Sequence, residues 1–314
     1  MYDPVPDSHV FNVVMSLNLR SLCYDASAYP QLTMIGWGFY RCMEVTMVDT
    51  NSAFVGDIPG YYDREMGPVI FDHMARIMAQ KTAAVSPRQV LELAAGTGIV
   101  TRHVSSALED GHIVVTDLNE PMLDIARTKF IETDNVSFQT ADAQELPFDD
   151  ASFDAVICQF GHMFFPDRAK AYAEALRVLK PGGIYLFSTW GTNAENPYSE
   201  LVIETLSAAF DGHPPGFMKV PFSLHDAAAI LDEVAQAGFV EPRHEYVEHA
   251  STVASFDNFA LGLMLGSPAY FEVLERDGDH NEIASDLAHN MRVRFGSEPS
   301  AIPLKAHFFQ MVSA

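Results

Sequence analysis

Three carboxylates are spaced along the chain in company that suggests chemistry. Glu92 lies in VLELAAGTGIV (residues 90–100), an apolar run that breaks into Gly96-Thr97-Gly98. Asp117 closes the apolar run HIVVTD, 19 residues after Gly98. Asp142 follows the next apolar run, in TADAQELPF. A glycine turn between a strand and a helix presents unpaired backbone N–H groups and the positive end of a helix dipole, which favours an anionic or acceptor-rich ligand. A phosphate-binding P-loop needs Gly-Lys-Ser/Thr there, but Gly98 is followed by Ile99 and Val100. The dinucleotide fingerprint needs a third glycine where this chain has Thr101. An acid in the position of Asp117 can accept both hydroxyls of a ribose, and Asp142 suits a donor such as an adenine amino group. Ribose and adenine without a pyrophosphate describe an adenosine compound that is not a dinucleotide.

The elements that must position these acids follow from hydrophobic periodicity. PVIFDHMARIMAQ has helical spacing, and QVLELAA, HIVVTD, VSFQTAD, FDAVICQF and GIYLFSTW read as five strands. Between them stand helices at about 99–108, at PMLDIARTKF with Pro121 in its first turn, and at DRAKAYAEALRVL, which Pro181-Gly182-Gly183 is expected to stop. Strands alternating with helices over short connections predict a parallel, doubly wound α/β sheet. Beyond Trp190 the pattern predicts helices at 197–210 and 225–237 around a Gly- and Pro-rich loop, GHPPGFMKVPF. A strand at about 241–248, mostly helical 255–295 and a closing strand, LKAHFFQMVS, follow.

VLELAAGTGIVT, VVTDLNEPML, TADAQELPFDDASFDAVICQF and ALRVLKPGGIYLFSTW occur in this order. Together they resemble the ordered motifs of class I S-adenosylmethionine-dependent methyltransferases, in particular the small-molecule group that includes the ubiquinone/menaquinone-type enzymes. The resemblance covers about 60–250. It implies a Rossmann-like seven-stranded, mostly parallel sheet of order 3-2-1-4-5-7-6, with LKAHFFQMVS as an antiparallel last strand. The cofactor implied is S-adenosylmethionine, and the partner a small-molecule acceptor. Gly96 and Gly98 would let backbone approach the methionine part of the cofactor near Ala94. Glu92 would orient this loop and reach the cofactor's amino group through water. Asp117 would hold the ribose hydroxyls, with Leu118 and Met122 against the adenine. Asp142 and the backbone N–H of Ala143 would take the adenine amino group and a ring nitrogen. Gln159 and Phe160 would border the transferred methyl, and Tyr62, in YYDREMGP, would cover the cofactor. Singly each has a plainer reading: Asp117 as a turn cap, Asp142 as a loop acid, Met122, Phe160 and Cys158 as core.

Methyl transfer is an in-line displacement for which the cofactor carries the reactive group, so the protein mainly positions and desolvates. A hydroxyl or activated-carbon acceptor usually also needs a base. His162, which follows strand four at the ligand-binding edge of the sheet, is the candidate, with Tyr62, His213 and His225 as others. A helical cap is expected over 251–296, where Phe256, Phe259, Leu263, Met264, Phe271 and Leu274 line an acceptor site or pack on the sheet. Two other classes stay open: a nicotinamide-dependent oxidoreductase, against which Thr101 counts, and a cofactor-binding protein without turnover.

Composition sets the remaining bounds. Nineteen basic against 42 acidic residues give a net charge of −23, a field that repels nucleic acid and anionic lipid surfaces. Neither is expected as a partner. Cys23, Cys42 and Cys158 form no metal-ligand spacing, so no metal and a reducing, cytoplasmic setting are expected. Residues 1–46 lack lysine and a sustained period, and are expected to be a dispensable extension ahead of a domain at 47–314. The sequence leaves the oligomeric state open.

Overall fold

The structure, a computed structural model, describes residues 52–108, 110–131 and 135–314. The segment 1–46 lies outside the described residues.

The first helical element of the described residues is a single turn, α1 (Ile58–Tyr61), which runs into a π-helix, Tyr62–Phe71, and then into α2 (Asp72–Ala83). A ten-residue π-helix is unusual, since the wide coil normally occurs as single-turn bulges, often at functional sites. Pro68 inside it has no N–H to give to an α-helical ladder, and the Asp72 N–H reaches back to the Gly67 carbonyl. The predicted helical spacing holds from Ile70 through Met74 and Met78, all buried, but the α-helix itself starts only at Asp72.

Then follow β1 (Gln89–Glu92), α3 (Ile99–Ala107), β2 (His112–Asp117), α4 (Glu120–Arg127), β3 (Val136–Thr140), β4 (Phe153–Gln159), α5 (Arg168–Val178) and β5 (Leu179–Trp190). After these come α6 (Pro197–Ala209), α7 (Ala227–Gln236), β6 (Val240–Val253), α8 (Phe256–Leu265), α9 (Ala269–Glu275), α10 (His280–Phe295) and β7 (Ser300–Val312). The sheet order is β3-β2-β1-β4-β5-β7-β6, parallel except for β7, which is antiparallel to both β5 and β6. The expected seven-stranded Rossmann-like topology is therefore present.

Three boundaries differ from expectation. Pro181-Gly182-Gly183 does not separate α5 from β5: the strand begins at Leu179, and the register jumps from Phe153↔Leu179 to Ala155↔Ile184. The Pro-Gly-Gly run is thus a bulge inside the strand, where a residue without an N–H and flexible glycines are tolerated. β6 extends to Val253 because it pairs with β7 along most of its length. Residues 251–253 accordingly belong to the sheet and not to the cap, whose helices are α8 to α10.

β5 shows how the two faces of the sheet are filled. Tyr185 and Phe187 pack with Tyr172 of α5, whereas Trp190, on the opposite face by strand alternation, packs with Phe71. The π-helix and α2 therefore cover one face, and α5 the other. The π-helix is also held from outside by α8. A methyl group built at Gly262 would lie 2.5 Å from the Glu65 Cβ, and one at Gly266 would lie 2.8 Å from the Tyr62 nitrogen and 3.0 Å from the Met66 sulfur. Only glycine lets the α8 backbone come this close.

Candidate cofactor and acceptor site

The turn after β1 is built from strained and buried backbone. Ala94, Gly96 and Gly98 all have positive φ, at 49°, 58° and 75°. Gly98 is the residue from which α3 starts, in the left-handed region. Glu92 at the end of β1 is buried, and its carboxylate accepts the Thr101 hydroxyl at 2.7 Å. The position that would be the third glycine of a dinucleotide motif thus supplies the acid's hydrogen bond. Burial raises the Glu92 carboxyl to about 8, and the nearby Asp117 adds to this.

Asp117 ends β2 and is 7% exposed. One carboxylate oxygen accepts the Gly96 N–H and the other the Asn119 N–H, both at 2.8 Å. Burial raises its pKa, against the lowering effect of these bonds. Oδ1 also accepts the Asn119 side-chain amide at 3.4 Å, while Oδ2, which accepts the Gly96 N–H, keeps a lone pair for a further donor. Met122 is buried beside this pair, with its Cε 3.6 Å from where a Gly96 Cβ would stand, and Leu118 is 54% exposed. Asp142 caps its own turn by accepting the Gln144 N–H at 2.8 Å and remains exposed, with Ala143 buried next to it.

A cavity on the α2 face of the sheet is lined by Tyr62, Phe71, Glu92, Ala94, Ala95, Thr97, Ile99, Val100 and Gln159. Four sequence-predicted residues (Tyr62, Glu92, Ala94 and Gln159) therefore meet around one space. The Gln159 amide donates to the Phe71 carbonyl at 3.4 Å, while its buried Oε1 has no partner. Tyr62 stacks on Phe71, centroids 4.7 Å apart, and burial raises its phenol well above the ordinary range. A phenol in that state is a donor and a cover, and does not act as a base. Phe160, with φ at 54°, stacks on Trp190 at 3.8 Å and 4°, and Phe71 touches both rings.

Gly96, Gly98, Asp117, Leu118, Met122, Asp142, Ala143 and Phe160 are not among the lining residues. A methyl group at Gly98 would lie 2.9 Å from the Ala126 Cβ, so this glycine serves the packing of α3 on α4. His162 is likewise displaced from its expected role. It is fully buried on the α5 face among Phe165, Tyr172 and Phe187, with Nε2 2.6 Å from the Tyr185 hydroxyl. Burial lowers it to about 3. An imidazole that is neutral, enclosed and on the far side of the sheet is a core residue and not the general base. His213 and His225 are exposed outside the cavity lining. Of the six cap side chains, Phe256, Phe259, Leu263 and Met264 are buried and Leu274 is 54% exposed; none of the six lines the cavity.

The residues present fit S-adenosylmethionine. Among the described residues, neither Glu92, which lines the cavity, nor Asp117, which braces the Gly96 turn beside it, has a cationic partner. Burial disfavours the charged form of both acids, so a ligand carrying a sulfonium and an ammonium favours their ionisation, whereas a pyrophosphate opposes it. Glu92 gives a direct test. Its folded value of about 8 lies above the ordinary 4.5, so its contribution to stability is fully present below pH 4.5 and is lost as pH rises through 8. The loss is at most about 1.4 kcal/mol for each pH unit. Glu92→Gln is expected to gain in melting temperature relative to the wild type between pH 5 and 8, and bound S-adenosylmethionine is expected to narrow the gap. Parallel pH profiles for the two ligand-free proteins would show that the acid is not perturbed.

The sequence profile of the family described as "Methyltransferase domain" matches residues 90–183. The chain is 35% identical over 189 residues to a demethylmenaquinone methyltransferase of Clavibacter sepedonicus, an overlap of 59% of this chain and 75% of that protein. It is 40% identical over 198 residues to a ubiquinone/menaquinone biosynthesis C-methyltransferase of Saccharophagus degradans, covering 57% and 79%. Among solved structures, the YcgJ protein of Bacillus subtilis shares the fold at 22% identity and a TM-score of 0.50, over 77% of this chain and 98% of that one.

Proposed function

The chain belongs to the class I S-adenosylmethionine-dependent methyltransferases of the ubiquinone/menaquinone group, and from that premise we propose that its acceptor is a planar, electron-rich ring methylated on carbon. The enzyme transfers a methyl group from S-adenosylmethionine to a small-molecule acceptor. The cofactor supplies an activated methyl on a sulfonium. In this reading Glu92 offsets its positive charge, Asp117 accepts from the ribose, and Leu118, Met122, Asp142 and Ala143 hold the adenine. Gly96 and Ala94 bring backbone to the methionine part, Gln159 Oε1 faces the methyl end, and Tyr62 excludes water.

The observation that carries the acceptor class is the aromatic wall. Phe71 lines the cavity and continues into Phe160 and Trp190, while Tyr62 continues into Phe54 and on to Phe164. Flat rings pack well against such walls in offset or edge-on contact. The names of the relatives point the same way, since they act in quinone biosynthesis. A panel of quinol, catechol and amine acceptors, assayed by S-adenosylhomocysteine formation and mass of product, tests the proposal. A C-methylated quinol supports it; turnover of amines alone would refute it.

The same proposal makes 47–314 one catalytic domain with α8 to α10 as its cap, and 1–46 a dispensable extension. No helix among the described residues is long and apolar enough to cross a membrane. The reading of a cytoplasmic enzyme rests on the small number of cysteines in the sequence, three, whose spacing suggests no disulfide framework.

A further inference from the structure

A side chain that sequence reasoning passed over joins the lid to the glycine turn. Lys129 lies just past the end of α4, and its ammonium reaches across to the Asp63 carboxylate, next to Tyr62 in the π-helix. The same ammonium donates to the Thr97 carbonyl at 2.7 Å. The Thr97 hydroxyl in turn donates to the Asp63 oxygen that Lys129 holds, also at 2.7 Å. Three groups from three segments thus close a ring of hydrogen bonds. The side chains of Lys129 and Asp63 are only 18% and 23% exposed, and Thr97 is 1% exposed. Burial lowers the Lys129 pKa, and its pairing with Asp63 acts against this. An enclosed, charge-assisted network of this kind holds geometry better than a solvated surface pair.

We propose that Lys129 is a positioning residue for methyl transfer: a latch that locks the π-helix onto the Gly96-Thr97-Gly98 turn and so holds Tyr62 across the cofactor. The proposal rests on the reading that Tyr62 covers S-adenosylmethionine. Lys129 touches neither cofactor nor acceptor in this scheme. It acts through Asp63 on the residue beside it, and through Thr97 on the turn against which the cofactor lies. Losing the latch frees the lid without removing any cofactor ligand.

Hydrogen exchange over 58–71 in the ligand-free protein and the dissociation rate of S-adenosylmethionine by stopped flow test this together. Lys129→Met is expected to raise lid exchange at least about tenfold and to speed cofactor release by a similar factor. KM for the cofactor should rise more than kcat falls. Lys129→Arg, which keeps donors for both partners, is expected to restore most of the loss. Asp63→Asn, which keeps an acceptor but removes the charge, should show the same defects in milder form and serves if Lys129→Met folds poorly. Unchanged lid exchange in a folded Lys129→Met protein overturns the latch. Tyr62→Ala separates the two readings. If it speeds release and Lys129→Met does not, the latch proposal fails. If neither variant alters release, the reading of Tyr62 as the cover fails, and the latch proposal with it.

Discussion

Gly98→Val is expected to lower the melting temperature by roughly 5–15 °C while the surviving folded protein binds S-adenosylmethionine almost normally. Gly96→Val is expected to do the reverse. The two glycines lie two residues apart and both have positive φ. Placing a residue with a Cβ there costs about 1–2 kcal/mol. At Gly98 the new Cβ would also stand 2.9 Å from the Ala126 Cβ and 3.4 Å from its Cα, with helix backbone behind it. Such overpacking adds about 1–3 kcal/mol. At Gly96 the nearest atom is the flexible end of Met122, at an ordinary 3.6 Å, so the fold pays only the backbone term. The valine side chain would instead occupy the side of the turn where the methionine part of the cofactor is proposed to lie, and affinity should fall by about 100-fold or more, some 2.7 kcal/mol. Thermal unfolding and calorimetric titration on the same samples separate the effects. Equal losses of both kinds in both variants would show the turn to be a single structural unit.

Asp117→Ala is expected to weaken S-adenosylmethionine binding by about 10- to 150-fold, the effect of losing a hydrogen bond to a charged group, roughly 1.5–3 kcal/mol. Stability should fall as well, because the N–H groups of Gly96 and Asn119 lose their acceptors. Asp117 therefore fills the plainer reading the sequence offered, a cap of its own turn through Asn119, and it also fixes Gly96. The variant distinguishes these roles from ribose binding. A folded Asp117→Ala protein with an unchanged dissociation constant would leave Asp117 as a brace for the turn and move the ribose site elsewhere.

What could be read from the sequence was what depends on local pattern. The parallel strands are short apolar runs bounded by turns, and acids recur at strand ends near one glycine turn, so the alternating α/β pattern was visible, while the strand order came from the family resemblance. His162 misled because position along the chain does not say which face of the sheet a side chain takes after a strand ends. The turn Gly161–Phe165 directs it inward, against Tyr185. The Pro181-Gly182-Gly183 run misled because a bulge and a helix stop draw on the same residues. Thr101, Lys129 and Asp63 were invisible as site residues because their partners are 9 to 66 positions away in sequence. Only folding brings α4 and the π-helix to the same turn. The π-helix is amphipathic much as α2 is, so hydrophobic spacing does not tell the wide coil from an α-helix, and Pro68 is the local sign that breaks the ladder between them.

Gly262 and Gly266 have a consequence for the order of events in turnover. With α8 backbone lying directly against Glu65, Met66 and the Tyr62 nitrogen, the lid has no clearance on its outer side. Any movement that lifts Tyr62 from the turn must carry α8, the first helix of the cap, with it. On the reading that Tyr62 covers the cofactor, admission of S-adenosylmethionine is then a motion of the π-helix and α8 together. In kinetic terms such a joint motion favours an ordered sequence, in which S-adenosylmethionine enters first and S-adenosylhomocysteine leaves last.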